Sequence, residues 1–170
     1  CYDGLSITDI NQIQQICLTI EHSYLGDLDI EIIPPSGADY TLKLFDNFSG
    51  GSTTNLGEPW ATAAVSSINE NNVNIIQGVG YQYCFVPDAS FPSFLDGIVE
   101  DGTFTAGDGP NTYTDDYIPA GSYSSHESFD ELIGSQINGS WTLKITDNID
   151  QDNGYVFGWN INFDSDLLQS

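Results

Sequence analysis

Residues 139–163 read GSWTLKITDNIDQDNGYVFGWNINF, and their periodicity decides the fold class. In the first part Trp141, Leu143 and Ile145 alternate with Thr142, Lys144 and Thr146, the period of two expected of a half-buried strand. In the second, Tyr155, Phe157, Trp159, Ile161 and Phe163 alternate with Val156, Gly158, Asn160 and Asn162. A helix would scatter those five apolar side chains around its circumference, so both parts are strands. The aromatic density places the second strand inside a sheet, with Trp141 and Trp159 in the core. Between them runs a turn-forming stretch that carries Asp147, Asp150 and Asp152. Such a loop repels itself unless it is solvated or holds a cation.

The same alternation recurs upstream. Ile16, Leu18 and Ile20 face one way and Cys17 and Thr19 the other, in an apolar strand prepared by Ile7 to Ile10 and Ile13. Leu28, Ile30 and Ile32 face a core while Asp29 and Glu31 face out, and the Pro34-Pro35-Ser36-Gly37 turn returns the chain through Tyr40, Leu42 and Leu44. Residues 45–57 read as a loop, and Ala61 to Ala64 is too short for a helix. Val73 to Ile76 and Tyr81, Tyr83 and Phe85 read as short strands. Residues 87–119 read as an irregular excursion with no apolar face of its own. Roughly eight to ten short strands without an amphipathic helix predict a single all-β domain, a jelly-roll β-sandwich.

Composition narrows the partners. Two lysines, no arginine and 25 acidic residues leave a formal charge of −23 over 170 residues, which argues against nucleic acid or an anionic membrane surface and favours cations. No run approaches the ~18 apolar residues of a membrane span. With 39 % hydrophobic residues the chain can still bury a full core. It begins at Cys1 and contains no Met, so it is expected to be a processed or excised piece of a longer secreted or cell-surface protein. A lipidated Cys1 is the alternative, opposed by Tyr2-Asp3-Gly4 running straight into structure. Three cysteines, Cys1, Cys17 and Cys84, allow one disulfide and leave its pairing open; three reduced thiols are the other reading.

Two stretches carry a family likeness. His22-Ser23-Tyr24-Leu25-Gly26-Asp27-Leu28 with Pro35-Ser36-Gly37 and Leu42, and then Gly139-Ser140-Trp141-Thr142-Leu143, Asp147 and Gly154 through Trp159, resemble the P domain (Homo B domain) of proprotein convertases such as kexin and furin, in its bacterial secreted form. Ile145 replaces the usual valine, and the Pro34-Pro35-Ser36-Gly37 turn is a looser match. The resemblance implies a jelly roll that accompanies a subtilisin-like catalytic domain absent from these residues, or that serves other domains of a parent protein. It also implies Ca2+ as a cofactor, in agreement with the charge.

Ca2+ takes about six to eight oxygen ligands and suits carboxylates spaced along a turn. Asp147, Asp150 and Asp152, with Asp27 and Asp29, are the expected ligands; the competing reading has Asp147 and Asp152 bonding turn amides only. Asp101, Asp108, Asp115 and Asp116 form a rival set. His22 beside Ser23 is no catalytic pair, since neighbours on a strand point to opposite faces; a structural role beside Asp27 is expected, and His126 is read as an exposed loop residue. Nucleophile-elbow, zincin and dithiol motifs are missing, so no catalytic residue is assigned. An adhesion or carbohydrate-binding module is the alternative, built on the loops of residues 50–116 with Trp60 as its surface aromatic. Asn47-Phe48-Ser49 and Asn138-Gly139-Ser140 match the glycosylation pattern, which recurs by chance.

Overall fold

The computed structural model describes residues 4–47, 53–60, 77–105, 112–149 and 152–168. Ten strands are present among them: β1 (Ile13–His22), β2 (Leu28–Ile33), β3 (Leu42–Asp46), β4 (Asn55–Leu56), β5 (Tyr81–Phe85), β6 (Glu100–Thr105), β7 (Thr112–Ile118), β8 (Gly121–Tyr123), β9 (Thr142–Asp147) and β10 (Gly154–Phe163). They form two sheets, one ordered β6-β7-β4-β1-β5-β8 with β10 added on β1, and one ordered β3-β2-β9. The only helical turns described are short 3-10 segments, so the expected all-β sandwich is observed. Cys1, the 61–64 stretch, the 73–76 strand, Asp108 and Asp150 lie outside the described residues.

The core follows the alternations. Ile16, Leu18 and Ile20 of β1 meet Leu28, Ile30 and Ile32 of β2, Leu42 and Leu44 of β3, and Tyr83 and Phe85 of β5, all almost fully buried. β2 and β3 form the antiparallel unit read from the Pro-Pro-Ser-Gly turn. Burying side chains of this size contributes about 1.5–3 kcal/mol each before chain entropy is subtracted. Cys17 and Cys84 stand opposite each other in the β1–β5 register and form a disulfide across 67 residues of chain. That resolves the pairing the sequence left open.

Several expectations are corrected. The 87–119 excursion contains the β6–β7 hairpin, whose Phe104 and Tyr113 are buried with Tyr117 packed on them; short runs broken by Gly102 and masked by acidic residues hid the alternation. The 45–57 loop likewise contributes Phe45 and Asp46 to β3 and contains β4. Among the described residues β10 has one strand neighbour, β1, and so lies at a sheet edge rather than inside it. Its five apolar residues also do not share one face. Thr19 pairs with Gly158 and Ile20 with Val156, leaving Phe157 as the extra residue of a bulge. A bulge shifts the alternation by one. Trp159, Ile161 and Phe163 therefore lie on the side of Leu18, Ile16 and Ile13, while Tyr155 pairs with Glu21 on the other. Trp159 is 36 % exposed, not core, and Trp141 is half-buried.

Glu21 is buried opposite Tyr155 with no cation beside it among the described residues. Gly78 donates its N–H to Oε1 at 3.4 Å, and Oε2 is buried without a partner. Burial pushes its carboxyl up to about 7, slightly opposed by the Gly78 bond. The folded chain thus holds this proton where the unfolded chain, at an ordinary 4.5, has lost it. The benefit of the protonated form is complete below about 4.5 and is lost as pH rises through about 7. Glu21→Gln is expected to match the unaltered chain at pH 4 and to exceed it by about 2–3 kcal/mol at pH 8, read by urea denaturation at both values. Cys17→Ala with Cys84→Ala is expected to lower stability by about 2–4 kcal/mol with unchanged far-ultraviolet dichroism.

Candidate functional site

The two motif stretches, one ending at Leu42 and the other beginning at Gly139, meet at one end of the sandwich. β1 ends at His22, the chain turns through a 3-10 segment, Leu25–Asp27, and β2 begins. Leu28 pairs with Asp147, the last residue of β9. Asn148 then donates its backbone N–H to the Asp27 carbonyl at 2.9 Å, and its side-chain amide donates to the same carbonyl at 3.0 Å and to Asp29 Oδ2 at 2.9 Å. On the far side of the loop Ser23 donates through its backbone N–H to the Asn153 carbonyl at 3.2 Å and through its hydroxyl to Asp152 Oδ1 at 3.3 Å. Gly154 pairs with His22, where an added Cβ would stand 2.4 Å from both the Glu21 carbonyl and the His22 ring. Only glycine lets β10 start this close to β1.

This arrangement surrounds Asp27 with like charge. Its residue is 3 % exposed. Its carboxyl is raised above the ordinary range, first by burial and then by the carboxylates of Asp152 and Asp147, with His22 opposing and a hydrogen bond to Asp152 adding to the rise. His22 is buried; its Nδ1 accepts from the Tyr24 backbone N–H at 3.1 Å, so Nε2 carries the proton. Nε2 lies 3.6 Å from Asp147 Oδ2, beyond hydrogen-bond length. His22 thus engages the turn backbone and acts on Asp27. Ser23 is turned to the acidic loop and makes no bond to His22.

The five expected ligands divide accordingly. Asp147 and Asp152 each act on Asp27. Asp29 is engaged separately: it accepts from Asn148, stands opposite Asp46 in the β2–β3 register, and keeps Oδ1 buried without a partner. Asp150 is outside the described residues. Asp147 also makes the turn contact of the competing reading, accepting from the Ile149 N–H at 3.3 Å. Among the described residues no group of three or more His, Cys, Asp or Glu side chains is gathered closely enough to hold a metal as it stands. The donor chemistry, hard carboxylate oxygens on a turn, fits Ca2+.

Of the rival set, Asp101 and Asp116 face each other across the exposed β6–β7 hairpin, where a hydrogen bond between them raises Asp116. Asp115 stands opposite Gly102 instead. Trp60 is half-buried, His126 and Asn138 are exposed, and Asn47 is 7 % exposed, which leaves no room for a glycan on its amide. The involvement of Asn148 and Ser23 was not read from sequence. The regularity of an Asp-Asn step directly after a strand is the signal that could have suggested Asn148.

The family described as the proprotein convertase P-domain matches residues 110–163, which include β7 to β10 and the second of the two motif stretches. The first stretch lies outside the match, yet it supplies Asp27 and His22 to the same end of the sandwich. Neither a curated protein nor a solved structure matches the chain.

With metal chelated, Asp152→Asn removes a like charge from Asp27, whose raised carboxyl returns toward its ordinary range. The benefit of a raised carboxyl is lost as pH rises, so relieving it stabilises at high pH. The variant is expected to melt above the unaltered chain in chelator at pH 7, with the gap closing below pH 4; a variant that melts lower at both values would contradict this electrostatic account.

Proposed function

We propose that the chain is a non-catalytic, Ca2+-binding accessory module of the type that accompanies subtilisin-like serine proteases, stabilising or regulating its catalytic partner in a secreted or cell-surface protein. The observation that supports this reading is the P-domain match over residues 110–163, together with the carboxylates of Asp152 and Asp147, which act on Asp27 and raise its carboxyl. The disulfide supports an oxidising compartment.

Asp27, Asp147 and Asp152 are the residues that would hold the ion, and Ca2+ would supply a hard divalent charge to offset their mutual repulsion. Each reaches the site from a different stretch: the 3-10 turn, the end of β9 and the start of the β10 approach. An ion held by all three would tie these stretches together, so occupancy would make the shape of that end calcium-dependent. Asn148 and Ser23 orient the backbone that carries them.

Thermal unfolding in excess chelator, in millimolar Ca2+ and in millimolar Mg2+ tests the reading. A rise of several degrees specific to Ca2+ is expected, and Asp152→Asn and Asp147→Asn should each reduce it. Equal melting temperatures in all three conditions would remove Ca2+ from the proposal.

A further inference from the structure

Among the described residues, the side of the sandwich bounded by β9 and β10 is open. Each is an edge strand among the described residues: β9 ends the three-stranded sheet and β10 has only β1 beside it. The two are joined by the 148–153 loop at one end and touch at the other, where the Trp141 and Phe163 rings lie 5.6 Å apart. Core residues along this side are incompletely covered. Trp141, Leu143, Ile145, Ile161 and Phe163 are all only partly buried. A hollow of about 250 Å³ is lined by Trp141, Trp159, Asn160, Ile161 and Phe163.

The exposed side chains of β10 continue this apolar character on both of its faces, Val156 and Trp159 on the side of Ile20 and Leu18, and Tyr155 on the side of Glu21. Tyr155, Val156, Phe157 and Trp159 are 36 to 41 % exposed, and no charged residue occurs between Gly154 and Phe163. Natural edge strands are protected by lysine, proline, brevity or a covering element. β10 has ten residues, no lysine, no proline and no cover among the described residues. Its one bulge, at Phe157, turns aromatic rings outward rather than blocking the edge. A second copy is a poor occupant, since pairing edge to edge would join two chains each carrying −23.

We propose that the β10 edge is a docking site for an extended segment of another polypeptide, with alternating apolar side chains and a basic residue at the end lying beside Asp147 and Asp152. Backbone N–H and C=O groups of β10 would pair with the incoming strand. One set of its apolar side chains enters the hollow at Trp141 and Phe163. The basic end is selected by the carboxylates of Asp147, at the end of β9, and Asp152, two residues before Gly154.

Calorimetry in chelator tests this on the unaltered chain, with ten-residue peptides that alternate valine and threonine and carry two lysines at one or the other terminus, so that either strand direction is sampled. Saturable one-to-one binding of one lysine peptide is expected, at least tenfold weaker for its glutamate twin and for a version with the valines grouped together. Trp159→Lys, verified as folded by circular dichroism, should weaken the lysine peptide at least tenfold. No saturable binding up to millimolar peptide, or equal binding of all versions, would overturn the proposal. So would light scattering that shows a dimer of the chain dispersed by Val156→Lys, because the occupant would then be a second copy.

Discussion

The structure depends on β1 being paired along both sides. Residues Ile16 to Ile20 bond to β10 on one side and to β5 on the other, and His22 extends the ladder to β4. No other strand joins so much of the sheet. Its inward residues Ile16, Leu18 and Ile20 are the centre of the core, and Cys17 fastens it covalently to β5. The disulfide and the double ladder act on the same five residues, so local opening there is opposed by backbone bonds, burial and a covalent tie together. The residues that follow, Glu21, His22 and Ser23, are consequently fixed in position before any loop is considered.

That fixed end explains why a charged loop can be held in place. Asn148, Asp152 and Asn153 reach Ser23 and Asp27 through backbone, hydroxyl and amide hydrogen bonds. Neutral donors can orient carboxylates without neutralising them. Gly154 closes the loop at a point too narrow for any side chain. The glycine and the acidic residues of the motif thus serve different ends, one sterically required and the other electrostatic.

Period-two reading located β1, β2, β3, β5, β9 and β10, because each presents an apolar row to a single core. It failed where geometry changes within a strand. The bulge at Phe157 leaves no trace in the alternation of Tyr155 to Phe163, since both faces there are aromatic or small. It failed again at β6 and β7, whose apolar content suits a two-strand flap and not a core, and at the sheet edge, since aromatic density does not say how many neighbours a strand has. The acidic site was half legible. Asp27, Asp147 and Asp152 could be named from turn chemistry and spacing, but nothing in the sequence separates them from Asp29, whose carboxylate the Asn148 amide engages beside β3.

The placement of positive charge completes the electrostatics. The chain has two lysines, and both lie on the outer face of the three-stranded sheet: Lys43 pairs with Asp46, and Lys144 reaches Glu31 at 2.6 Å. Glu31 stands opposite Lys43 in one register and Lys144 in the other, so this row is balanced internally. Nothing of the kind exists at the opposite end of β2, where Asp27, Asp147 and Asp152 have His22 as their one neighbouring basic side chain among the described residues. With both lysines committed elsewhere, compensation at Asp27 comes either from a proton, which its raised carboxyl already favours, or from a cation taken from solution. The two alternatives compete for the same oxygens, so a cation at this end would displace the proton and bind more tightly as pH rises.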